Sequence, residues 1–164
     1  LDIKLVCEDS IYAVVSKMVN PDDGANVDIG CGNQFGGNAD EDGDVGGQGP
    51  AVEKVNNIID GFQLEEYISS KKDMVAVFKD KIKLVKERLS DNPKRLEKWD
   101  QKGAVGLFLK DVFAKFDECK FYMGKSYGSY DPKESMLIIS FWVKEDDTGE
   151  TFHFFKDCLR EVKV

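Results

Sequence analysis

The chain has a single histidine, His153, and no apolar run near the roughly 18 residues a membrane-crossing helix requires. It contains no Walker loop and no G-x-G-x-x-G after a strand, so the common nucleotide and dinucleotide signatures are missing. His153 lies in the aromatic run Phe152-His153-Phe154-Phe155, and no spacing supplies the nucleophile and orienting acid that a triad needs. Its four cysteines, Cys7, Cys31, Cys119 and Cys158, form no C-x-x-C pair. A disulfide framework and a zinc site built from close ligand pairs are therefore disfavoured, and reduced thiols in the cytosol are expected. Basic residues are absent between Lys17 and Lys54. The chain opens at Leu1 with no basic-then-apolar leader, which reads as a trimmed N-terminus with no targeting signal in view.

What is present fits one domain. At 164 residues and 41% hydrophobic content, a single core and a monomeric, membrane-free globular protein are expected. The net charge of −8 argues against nucleic acid as main ligand, which calls for a clustered positive field. The charge is unevenly placed. Eight acids, from Asp22 to Glu53, fall in the stretch without basic residues, whereas Lys71 to Lys102 holds eleven basic residues against six acidic ones.

Hydrophobic periodicity outlines the elements. Ile3 to Val6 and Ile11 to Val15 read as paired strands. Residues 20–50 hold nine glycines and one aromatic, Phe35, too little apolar surface to offset ordering, and read as a long mobile acidic loop. Val52, Val55, Ile58 and Ile59 suit either a short helix or a strand. Ser70 and Asp73 form a capping-box pattern before the stripe Met74, Phe78, Ile82, Val85, Leu89. Asn92 and Pro93 open a second stripe, Leu96, Trp99, Val105, Phe108, Val112, Phe116, so residues 71–117 are expected to form an antiparallel helical hairpin. Lys120 to Met123, Met136 to Val143 and Thr151 to Lys156 then read as a β-meander. The fold class expected is α+β: a small antiparallel sheet core, a protruding helical hairpin and a long acidic, glycine-rich loop.

Two constellations are candidates for binding. Asp42, Asp44 and Glu53 occupy positions one, three and twelve of a calcium-loop pattern, with Gly47 at six; the carboxylates are dense but not prearranged, so weak Ca²⁺ binding is expected and no other cofactor. Lys79, Lys83, Lys86, Arg88, Lys94 and Arg95 surround the turn of the hairpin and suit an acidic protein surface such as tubulin. A thiol enzyme resembling methionine-sulfoxide reductase is the alternative; it needs Cys31, Cys119 or Cys158 as a low-pKa thiolate in a cleft.

Phe35-Gly36-Gly37-Asn38-Ala39 followed by acids, and Phe116 to Gly124 with Phe121, Tyr122 and Gly124 in the pattern F-x-x-x-x-F-Y-M-G, resemble the two signatures of the translationally controlled tumour protein family. Ile58 to Leu64 and the ending Phe154-Phe155-Lys156-Asp157 fit in the same order. The resemblance implies an Mss4-like sheet core and a cytosolic, non-enzymatic regulator that binds small GTPases, elongation-factor subunits, tubulin, Bcl-2-type proteins and Ca²⁺. It also makes Tyr122, Gly124 and Lys125, taken as a sheet edge, a partner surface. This chain has Lys125 where the family pattern has an acid, Asp40 in place of a serine and Cys158 in place of a glycine. The family's first strand, with a GTPase-linked acid after it, falls before Leu1.

Overall fold

The computed structural model describes residues 2–21, 53–125, 135–160 and 162–163. From Asp22 to Val52 the acidic segment, with Gly36, Gly37, Asn38, Asp42 and Asp44, lies outside the described residues.

A six-stranded antiparallel sheet carries the fold. Its strands are β1 (Ile3–Val6), β2 (Ile11–Val15), β5 (Glu65–Glu66), β6 (Lys120–Met123), β7 (Ile138–Phe141) and β8 (Thr151–Phe155), ordered β1-β2-β8-β7-β6-β5. A two-stranded ribbon, β3 (Met18–Val19) with β4 (Val55–Asn56), leads into α1 (Asn57–Gly61). The ambiguous stretch around Val55 is thus both a strand and a helix; Asn56 ends the strand and caps the helix by accepting from the Ile58 and Ile59 amides.

Alternation on the strands builds two cores. Ile11, Phe121, Ile139 and Phe155 face the helical layer, where they meet Met74, Phe78, Trp99, Val105 and Leu109. Val14, Tyr122, Ile138 and Phe152 face the other way, against Ile58 and Leu64. The central strands are apolar on both faces because both are covered.

Helix α2 (Lys71–Arg88) begins at the expected capping box, with Ser70 Oγ accepting from the Asp73 amide at 3.2 Å and donating to its carboxylate at 2.6 Å. The continuous second helix expected from Pro93 to Phe116 is corrected. It divides into α3 (Pro93–Leu96), a 3₁₀ turn (Glu97–Trp99) and α4 (Ala104–Ala114). Two glycines explain the break. A Cβ at Gly103 would run into the Glu97 and Lys98 carbonyls, and one at Gly106 into that of Asp100, so α4 starts against the backbone of the preceding turn. The apolar stripe survives the break because Trp99, Val105 and Val112 still reach one core.

Gly106→Ala is expected to cost at least about 2 kcal/mol, because the obstacle is backbone rather than a movable side chain. Gly61→Ala, which meets open space, should be near neutral. Urea midpoints of the two variants check this; equal midpoints would contradict the close approach.

Candidate functional site

The basic residues sort into three groups by position. Lys79, Lys83 and Lys86 recur on one face of α2 and, with Ile82, Leu96 and the acids Glu87 and Asp100, line an open groove of about 530 Å³ in which cations outnumber acids by one. Lys79 and Lys83 are exposed and pair with no carboxylate among the described residues, while Lys86 holds Asp100 at 2.5 Å. Arg88 and Lys94 are exposed at either side of the 89–92 turn. Arg95 belongs to a different arrangement.

Arg95 Nη2 meets Asp157 Oδ1 at 2.5 Å, and the other carboxylate oxygen accepts the Trp99 indole N–H at 2.9 Å. The Asp157 side chain is only 2% exposed. A carboxylate that deep needs partners for both oxygens, so Arg95 is in the first place a structural residue. Trp99 also packs on Phe155, with ring centroids 5.6 Å apart. Nearby, Lys98 Nζ donates to the Glu8 carbonyl in the tip of the β1–β2 hairpin, where Cys7, Glu8 and Asp9 all have positive φ. No sequence spacing signals the Arg95–Trp99–Asp157 cluster, since Asp157 lies about sixty residues from the other two; the family-like ending at Asp157 is its only trace.

The sheet-edge expectation for Tyr122 is also corrected. Strand β6 is flanked on both sides, because Glu65 and Glu66 pair with Met123 and Tyr122, and the Tyr67 amide donates to the Phe121 carbonyl. Tyr122 is 5% exposed and packs on Phe152, so it belongs to the core and not to a contact surface. Phe116 and Phe121 likewise stack on each other at 5.5 Å. Gly124 and exposed Lys125 lie past the end of β6 beside a cavity of about 420 Å³ that also touches Phe62 and Phe154. Behind β6, Glu150 accepts from Ser140 at 2.8 Å and from Lys120 at 2.7 Å, which raises the Lys120 pKa.

The thiol chemistry required by the enzyme alternative finds no support. Burial pushes the Cys119 thiol up to about 11 and Cys158 up to about 12, and Cys7 is raised for the same reason. Cys31 lies outside the described residues. His153 is buried, stacked on Phe141 at 4.5 Å, and faces the Ile139 carbonyl at 3.2 Å through Nδ1, which therefore carries the proton. Burial lowers its pKa to about 4. Of the calcium ligands only Glu53 is described, and it is exposed; no cluster of three or more His, Cys, Asp or Glu side chains fit for a metal occurs among the described residues. Nor is any described helix long and apolar enough to cross a membrane.

Together these features define a small α+β protein in which a helical layer is clamped to one face of an antiparallel sheet and presents a basic groove. Comparison with known proteins gives the family. The family model described as translationally controlled tumour protein matches residues 1–160. Translationally-controlled tumor protein homologs of Schizosaccharomyces pombe and Saccharomyces cerevisiae are 33% and 32% identical, each over 99% of this chain and 89% of the relative. The solved structure of translationally controlled tumor-associated protein p23fyp from Schizosaccharomyces pombe superposes with a TM-score of 0.70 at 31% identity, covering 99% of this chain and 89% of that one. The chain belongs to the translationally controlled tumour protein family.

Neutral, buried His153 makes a prediction about acid. Its folded pKa lies below the unfolded value, so its stabilising effect is complete above about pH 6.5 and is lost as pH falls toward about 4, up to about 3 kcal/mol. Stability measured by urea unfolding should fall between pH 6.5 and 5 in the wild type. His153→Phe should flatten that interval, and an unchanged slope would contradict the assignment.

Proposed function

We propose that this protein is a non-enzymatic, cytoplasmic regulatory protein that docks acidic protein surfaces on the basic face of α2. The observation that carries the reading is the groove in which exposed Lys79 and Lys83 stand beside Ile82 and Leu96, while of its other charged residues Lys86 is paired with Asp100 and Glu87 is the remaining acid. Ammonium groups steer an acidic partner and set its orientation, while the two apolar side chains offer area to bury. A segment bearing glutamates next to an aliphatic residue is complementary to both. Tubulin is the partner of that chemistry, and family membership is consistent with protein binding.

Elongation-factor subunits and small GTPases are further partners in the same reading. Lys125 bears on the GTPases, since a cation where the family pattern has an acid weakens the match to a basic or magnesium-binding region. Weak Ca²⁺ binding through Asp42, Asp44 and Glu53 rests on the sequence pattern. Support for a non-enzymatic role comes from the raised thiols and from a histidine that is buried and neutral.

Fluorescence anisotropy with a labelled glutamate-rich tubulin tail peptide tests the groove. The double change Lys79→Glu with Lys83→Glu should weaken binding about tenfold at about 0.05 M salt, and the difference should shrink at about 0.5 M, where the Debye length falls below 5 Å. Equal affinities at low salt would reject the face.

A further inference from the structure

Tyr12, Arg95, Lys156, Asp157, Leu159 and Arg160 line a cavity of about 370 Å³ that shares no residue with the α2 groove. Three of the six are cations, in a chain of net charge −8. The one acid does not oppose an incoming anion freely, because both oxygens of Asp157 are engaged by Arg95 and Trp99 and its side chain is 2% exposed. Its effect is to hold the guanidinium in place. Arg95 remains 37% exposed, which leaves further N–H groups of its planar fork for a second acceptor. The Lys156 ammonium is likewise positioned, 5.9 Å from the centroid of the Tyr12 ring. Arg160 adds a second fork, and the Tyr12 hydroxyl is a further donor.

We propose that this cleft binds a phosphate monoester carried on a side chain of a partner protein. Three cations less the Asp157 charge leave two positive charges, which match a monoester of about −1.5 to −2 at neutral pH. Arginine forks suit the several oxygens of a phosphate, whereas a single carboxylate would leave one cation without a partner. The cavity is larger than a phosphate ion alone, and Leu159, 52% exposed, supplies an apolar wall for residues that flank the phosphate. That wall favours a phosphorylated segment over the free ion. The proposal stands apart from the α2 groove, and either can fail without the other.

Calorimetry with three probes, inorganic phosphate, a short phosphoserine peptide and its unphosphorylated form, tests it on the full chain. The phosphopeptide should bind about tenfold more tightly than inorganic phosphate, and the unphosphorylated peptide should give no signal. Lys156→Gln and Arg160→Gln should each weaken the phosphopeptide about tenfold, as loss of one charge-assisted hydrogen bond does. Amide shifts should include Tyr12, and affinity should drop from about pH 7.5 to about pH 5 as the phosphate takes up its second proton near 6. Inorganic phosphate bound as tightly as the phosphopeptide would overturn the partner reading, as would affinities unchanged in both variants. So would a single-stranded oligonucleotide that bound through these residues as well as the phosphopeptide.

Discussion

A carboxylate removed from water must find partners for its charge, and Asp157 finds them on the helical layer. Its side chain sits at the end of β8, and its two oxygens take the Arg95 guanidinium and the Trp99 indole N–H. Neither partner is on the sheet. Lifting the 93–99 segment from the sheet would break both contacts to the Asp157 carboxylate and strip Trp99 from Phe155. With that segment fixed, Trp99 seals the core against Phe155, Gly103 and Gly106 can pass close to the preceding backbone, and α4 lies along the sheet. The groove between α2 and Leu96 exists because this turn is held in place.

The same economy separates interior from surface. Two polar groups buried on the sheet are held locally: Ser140 donates to Glu150, which also takes the exposed Lys120 ammonium, and His153 stays neutral between aromatic rings and a carbonyl. Cysteines placed at the boundary of the core are held as thiols. Among the exposed charges of the helices, Lys79 and Lys83 on α2 stand free of any described carboxylate partner. Recognition through charge and shape needs only that such faces be presented on a rigid support, and the clamp supplies the rigidity.

Much of this was legible in the sequence, for reasons that differ between elements. Strands β2, β6, β7 and β8 show in runs of branched and aromatic residues because burial on one or both faces imposes them, while β1, largely exposed, shows by its branched residues alone. Helix α2 shows its cap and its stripe, both local patterns. The break before α4 was hidden because the stripe of Trp99, Val105 and Val112 runs on across it, while its cause is a backbone approach between residues that only the fold brings together. The sequence hides the cover over Tyr122 because the neighbouring strand β5 is two glutamates, a strand no propensity would suggest. For the site, the lysines of α2 were visible as a charge pattern, but the commitment of Arg95 to Asp157 and the cluster around Tyr12 join distant stretches and left no spacing to read.

The central claim is that Asp157 couples the helical turn to the sheet. A double-mutant cycle on Arg95→Ala and Asp157→Ala, followed by urea unfolding, tests it directly. The account predicts that each single change destabilises, that the double change costs little more than Asp157→Ala alone, and that the coupling is about 1–2 kcal/mol, moderated by the partial exposure of Arg95. Additive effects, with coupling near zero, would contradict it.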